Sequence, residues 1–422
     1  PWHIAYSRSA YETNVALFFL LLGSLMFFYS LKKTWLLIFS AIFFAISFTA
    51  YRAETLVAPL LVVLLFLRFK KNILSSHISQ LIPFALSLIL GLLLVLPTVS
   101  IVRTPGFQAR TSSLNIFSFS NQSPWGFKTE KGTIREILNT PQLLSAKEFL
   151  SLYTAYLSPR YMFQLGDAGP RRPYPDMGTF FAWQFPFYLA GIYFLLKEKE
   201  AKKLKSFVFI LLLVSPIPAA LTRDPYSTLR SLQLVVPQTI LIAFGFIKLW
   251  KLVSPTLNKL KYAVFVSLIL YSTLHMYVSI FYLNDYFTSH YWNYGWKEAL
   301  DYIPKLDPNL PVVVDASRGD AYILLLFFLK YDPATYQKNN FEVPMTEYYT
   351  NMNRNITKDI GRFTVKNFQW GIDTDNVDQY IIADNIAIGE FQIQDHHLIK
   401  VHEILLPNGD VALRILKTNP TR

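Results

Sequence analysis

The chain has no cysteine. That excludes disulfides, a thiolate nucleophile and any cysteine metal site, and it leaves the redox compartment open. Charge is sparse as well. Asp, Glu, Lys and Arg make up 16% of the 422 residues, against 52% hydrophobic and 16% aromatic, an aromatic share above soluble norms. No glycine-rich phosphate loop opens a helix, no histidine pair has zincin spacing, and no Gly-x-Ser-x-Gly occurs, so those three motif-borne chemistries drop out. No acidic cluster has metal-ligand spacing. No cofactor is called for, and a divalent metal stays open, dependent on chain beyond this stretch.

What is present is eight apolar runs, at 14–30, 35–51, 55–67, 80–101, 179–196, 207–221, 233–250 and 262–283. A bilayer core of about 30 Å takes about 20 apolar residues per helix. Six runs meet or approach that length; 55–67 and 207–221 are short and need helical ends or tilt. Among the short gaps lysine fills only alternate ones: Lys32 and Lys33; Lys70 and Lys71 with Arg68; Lys197, Lys199, Lys202, Lys203 and Lys205; Lys248, Lys251, Lys259 and Lys261; the long loop 102–178 carries Lys128, Lys131 and Lys147. The positive-inside rule makes these short gaps cytoplasmic. The gap at 52–54, the loop 102–178, the gap at 222–231 and both chain ends are then expected outside. The fourteen basic residues of the short gaps exceed the net charge of +12, so topology accounts for the charge better than a nucleic-acid partner does.

A polytopic chain usually begins in the cytoplasm, whereas Pro1 maps outside, so an odd number of upstream spans is expected to be missing. Residues 1–283 read as an all-α polytopic bundle of about eight helices. Its loop 102–178 is irregular at first. From about 133 to 157 it has helical apolar spacing, suited to a helix lying on the membrane or packed on the bundle. Residues 284–422 read as a small external α/β domain. A helix is expected at 295–303, a helix or a second buried element at 321–331, and strands at 311–316, 361–370, 379–383, 398–405 and 412–416, with a turn at Asn408-Gly409. His396 and His397 are expected on a strand, pointing apart at the surface. Asn121 and Asn355 head glycan-acceptor triplets.

Charged residues at membrane depth cost about 2.5–3.5 kcal/mol on insertion scales and invite a functional reading. Four groups stand at the expected outer ends of the spans: Arg8 with Glu12, Arg52 with Glu54, Asp167 with Arg171 and Arg172, and Asp224 with Arg230. Guanidinium forks match phosphate, and the positive-inside rule does not call for them on this face. Each has a plainer reading. Arg8 and Glu12 have the spacing of a helical ion pair. Arg52 and Glu54 could cap a turn, Asp167 could be a turn residue, and Arg230 a headgroup anchor. His275, inside the last run, suits helix packing or a proton relay.

Several strings carry a family resemblance. Residues 1–14, PWHIAYSRSAYETN, resemble a stretch of membrane glycosyltransferases of the dolichyl-phosphate-mannose protein mannosyltransferase and aminoarabinose transferase type. SPRYMFQLGD at 158–167, with Pro170-Arg171-Arg172 and Met177-Gly178, resembles an external loop of their prokaryotic members. PAALT at 218–222 through TLRS at 228–231 is similar too, with Tyr226 nearest to where relatives often carry a histidine. YGWKEA at 294–299 and YDPATYQ at 331–337 resemble their tail domain.

The resemblance implies a GT-C bundle that takes a sugar from a polyprenyl-phosphate carrier at the outer face. It also implies an acidic catalytic base in a loop before Pro1; with three spans missing, the total is eleven. On this reading Arg52 and Arg230 bind the donor phosphate. Asp167, Arg171 and Arg172 are substrate-loop candidates, and Arg8, Glu12, Glu54 and Asp224 are weaker ones. The expected partners are the lipid-linked sugar, membrane lipids and an extracytoplasmic acceptor, at the cytoplasmic membrane. A lipid-linked-sugar flippase and a membrane-anchored binding module remain the alternatives.

Overall fold

The computed structural model describes residues 2–8, 11–73, 78–102, 104, 115–117, 134, 140–167, 169, 174–222, 226–317, 321–340, 357–375 and 377–420. They form two compact units, Pro1–Ser279 and Ile280–Arg422, parted close to the change in composition at 283.

The first unit is helical. After α1 (Trp2–Arg8) come α2 (Glu12–Ser30), α3 (Leu36–Ala50), α4 (Glu54–Ile73), α5 (Ile78–Val102) and α6 (Pro141–Ala155). Then follow α7 (Phe185–Lys197), α8 (Lys202–Val214), the short α9 (Ile217–Ala220), α10 (Val235–Leu252) and α11 (Asn258–Val278). Among the described residues five helical stretches are long and apolar enough to cross a membrane: Glu12–Ser30, Leu81–Ile101, Lys202–Ala220, Leu232–Leu252 and Pro255–Trp292. The short run at 55–67 gains its length by continuing through Arg68, Lys70 and Lys71, cations that suit a helix C-terminus. The run at 179–196 loses length instead. Phe181 is extended and residues 182–184 form a 3-10 turn, so α7 has only 13 residues. Eight apolar runs thus yield five span-length helices. Only 6% of the Leu81–Ile101 stretch is buried, so its Leu and Ile side chains form an exposed apolar surface.

Small and hydroxylated residues let the helices approach. Ser40 Oγ donates to Gly23 O and Ser47 Oγ to Ala16 O, both at 2.8 Å, joining α3 to α2. Gly191 on α7 and Gly245 on α10 sit back to back. A Cβ on Gly191 would lie 1.9 Å from Leu241 O, and one on Gly245 1.9 Å from Phe187 O. In α6, Tyr153 donates to Leu213 O at 2.7 Å and Ser145 to Ile116 O at 3.1 Å. This helix packs on the bundle.

The second unit is a mixed sheet of order β2-β3-β1-β4-β6-β5 with helices on its faces. The strands are β1 (Val312–Asp315), β2 (Lys358–Ile360), β3 (Phe363–Lys366), β4 (Tyr380–Ala383), β5 (Ile399–Leu405) and β6 (Val411–Lys417). β1 is parallel to β3 and β4; the other pairs are antiparallel. Central β1 is buried throughout, hence its unbroken Val-Val-Val. Side chains alternate between two cores: Ile382 and Ile415 pack with Leu325 on one face, Ile381 and Leu416 with Ile393 on the other. The helices are α12 (Asn284–Thr288), α13 (Trp296–Tyr302), α14 (Ala321–Phe328), α15 (Pro333–Asn340) and α16 (Glu390–Asp395). Gly409, at φ 90°, makes the turn between β5 and β6.

Four described elements of the second unit were not read from the sequence. They are α12, α15, α16, and β2, which folds back on β3 through Gly361 at φ 62°. The histidine pair is also corrected. His396 and His397 follow α16 rather than lying on a strand, and His396 stacks on Trp370 with centroids 4.1 Å apart. Asn121 and Asn355 lie outside the described residues.

Candidate functional site

The string SPRYMFQLGD builds the centre of the site. Tyr161–Leu165 form a single π-helical turn that ends at Gly166, φ 67° and ψ −146°. Only glycine takes that conformation readily, and a Cβ there would lie 2.8 Å from Met177 O. The turn is pinned from behind: Phe180 N–H and Thr179 Oγ1 both donate to Met162 O at 2.8 Å. Gly178 lets the chains touch, since its Cβ would meet Phe163 C at 2.7 Å.

This turn buries Asp167 to 6% exposure. Its Oδ2 accepts from Thr228 N–H at 2.6 Å, Thr228 Oγ1 at 2.5 Å and Tyr6 OH at 3.4 Å, and its Oδ1 accepts from Gly169 N–H at 2.6 Å. Tyr6 OH also hydrogen-bonds Thr228 Oγ1. One carboxylate therefore ties together the three first-unit strings around Tyr6, Asp167 and Thr228, which lie far apart in sequence. Aromatic rings surround it. Tyr161 stacks on Tyr226 at 4.9 Å and meets Tyr156 edge-on at 5.4 Å, and Tyr11 packs on Tyr6 at 5.1 Å. Tyr156 OH accepts from Ser227 N–H at 2.7 Å. Burial, above all, pushes the Tyr161 phenol well above its ordinary range, so it remains a neutral ring. Tyr226 has φ 56°, a strained value for an aromatic residue.

A second link lies beside the first. The 3-10 turn Leu232–Leu234 leads into α10. From it, Gln233 Nε2 donates to Glu54 Oε1 at 2.5 Å. Glu54 is the first residue of α4 and fully buried. Arg52 stands two residues before Glu54 in the half-buried turn after α3, where Arg52 O accepts from Thr55 Oγ1 at 2.7 Å. Arg230 stands three residues before Gln233, and its Nη1 donates to Thr222 Oγ1 at 2.7 Å. The Glu54–Gln233 bond thus joins the segment carrying Arg52 to the segment carrying Arg230. The Asp167–Thr228 bonds add the third turn, two residues from Arg230.

The remaining candidates fall elsewhere. Arg8 closes α1 and Glu12 opens α2, so they do not share one helix and the four-residue helical pairing does not apply. Glu12 is exposed. Arg171, Arg172 and Asp224, with the Arg8 side chain, lie outside what is described. His275 packs near Phe181 and Tyr271, with Nε2 3.3 Å from the exposed carboxylate of Asp176. Among the described residues no group of three or more Asp, Glu or His side chains is placed to hold a metal.

Reasoning from charge missed Tyr6, Tyr156, Tyr161, Thr228 and Gln233, although all but Tyr156 and Gln233 lie within the quoted strings. Chemically, the cluster offers a rigid, aromatic-walled floor held by one carboxylate, with an arginine beside each of two buried polar links. Comparison with protein-family models, with curated proteins and with solved structures found no match.

Proposed function

We propose that this chain belongs to a GT-C-type glycosyltransferase. It would move a sugar from a polyprenyl-phosphate carrier to an extracytoplasmic protein, lipid or envelope glycan. The supporting observation is the Glu54–Gln233 bond, which holds Arg52 and Arg230 on joined segments although 178 positions separate them in the sequence. The reaction releases a prenyl phosphate whose negative charge grows as the glycosidic bond breaks. Preorganised guanidinium groups suit that charge, and the lysine asymmetry puts both arginines on the outer side, where the donor must arrive on a lipid. The apolar faces of α5 and α11 would meet lipid, and the sugar-bearing phosphate would meet the arginines at the membrane edge.

The test is transfer from a labelled polyprenyl-phosphate sugar by the full-length enzyme carrying Arg52→Lys or Arg230→Lys. A lysine keeps the charge but loses the bidentate fork. Removing one preorganised donor from such a site lowers turnover by about 10²–10³. Full activity in both variants, at wild-type expression and membrane insertion, would refute the arginine site.

A further inference from the structure

Glu54 is 0% exposed and Gln233 1%. One hydrogen bond joins them, Gln233 Nε2 to Glu54 Oε1. Each then has one more buried oxygen, Glu54 Oε2 and Gln233 Oε1, and neither has a hydrogen-bond partner among the described residues. No ion pair to Glu54 is found there either. Two buried acceptors without a donor are the pattern expected when one proton is missing from the count, since an ionised carboxylate can only accept. A proton on Oε2 supplies that donor, and the remaining oxygen of Gln233 is the acceptor on the residue already bonded to it.

We propose that Glu54 is carried as the neutral carboxylic acid, with Oε2–H donating to Gln233 Oε1 and Gln233 Nε2–H donating to Glu54 Oε1. The two bonds close an acid–amide ring with no buried charge. The ring is a positioning device. It fixes the start of α4 against the turn before α10, and with them the backbone that carries Arg52 and Arg230. The inference concerns protonation and geometry only, so it stands apart from the transferase reading.

The surroundings are consistent with it. α4 packs on α2, α3, α8 and α9. α3 and α9 contain no charged residue. α2 contributes Glu12, which is exposed, and Tyr29; α8 contributes Lys202, Lys203 and Lys205, all in its first turn. On α4 itself Arg68, Lys70 and Lys71 begin fourteen residues on, roughly 20 Å along the helix axis. Arg52 and Arg230 are the nearest arginines in sequence to the two partners, and neither forms an ion pair with Glu54. An ionised carboxylate here would be a buried charge with no counter-ion among the described residues, an arrangement proteins avoid.

The experiment is infrared difference spectroscopy and thermal unfolding of the whole chain, purified in lipid nanodiscs, as a function of pH. Wild type should show a protonated-carboxyl C=O band at neutral pH that Glu54→Gln removes. The sign of the pH effect follows from linkage. The native state holds a proton that the unfolded state releases above about pH 4.3. Wild-type Tm, referenced to Glu54→Gln, should therefore fall as pH rises above that value. Glu54→Gln should keep the wild-type Tm at low pH, because two amides make the same ring. If Glu54→Gln does not fold, Gln233→Leu decides: the acid band should persist and move, having lost its amide partner. Absence of the acid band in wild type would overturn the proposal. So would an acid band left unmoved by Gln233→Leu, or stabilisation by sodium or potassium that Glu54→Gln abolishes, which would mark a carboxylate holding a cation.

Discussion

Replacing Asp167 by Asn tests the clamp at the centre of the site. The carboxylate accepts on both oxygens, from Thr228 through one and from Gly169 through the other. An amide has one acceptor and one donor, so either rotamer turns an N–H toward another N–H. The mildest outcome keeps Thr228 and gives up Gly169. A hydrogen bond to a charged group contributes about 1.5–3 kcal/mol, and a buried donor left unpaired costs about 1–3 kcal/mol. A sum of about 3 kcal/mol sits near the low end of that range, and at roughly 1.4 kcal/mol per tenfold it means about 10²-fold easier opening. Hydrogen exchange of a peptide covering 226–234, in detergent or nanodiscs, reads that opening. The expected result is about 10²-fold faster exchange there, with little change in β1 of the second unit. Exchange within about threefold of wild type would refute the assignment of Asp167 as the residue that holds the Thr228 segment.

Gly245→Ala should be strongly destabilising, because its Cβ would overlap Phe187 O and the Gly191 backbone; overpacking of this kind costs about 1–3 kcal/mol or more, measured as a loss of Tm. In the second unit, buried Arg414 donates to Glu403, Asn385, Ile388 O and Glu390 at 2.7–2.8 Å. Arg414→Met should cost about 1–3 kcal/mol on chemical denaturation, since it leaves the buried Ile388 carbonyl unpaired while the partly exposed carboxylates regain water. Bonds from Lys400, with Arg414 beside them, hold the Glu390 carboxyl below its usual range. Its contribution is present above the ordinary glutamate value and is lost as pH falls through the lowered one, so Glu390→Gln should flatten the acid limb of the unfolding profile. Because the chain lacks cysteine, a single Ile386→Cys at an exposed site of the second unit reports sidedness. Labelling by an impermeant thiol reagent in intact cells is expected, and labelling only after lysis would reject the outside placement.

The sequence alone determined where the helices and most strands lie. Hydrophobicity and its period are local properties, so runs such as 14–30 and 80–101 became α2 and α5 almost unchanged, and Val312-Val313-Val314 could only be a buried strand. The lysine asymmetry and the list of arginines expected outside were equally local. Tertiary structure decided which residues meet. Nothing in the one-dimensional record couples Tyr6 to Thr228 or Glu54 to Gln233, because hydrogen bonds between residues 179 or 222 positions apart leave no period to read. The turn geometry was also hidden. Asp167 looked like a turn residue beside Gly166, and it is one, but the φ of Gly166 aims it inward, where burial makes its carboxylate the joint of three segments. Helix length was settled the same way: packing carried α4 on through its lysines, while the extended Phe181 cut α7 short.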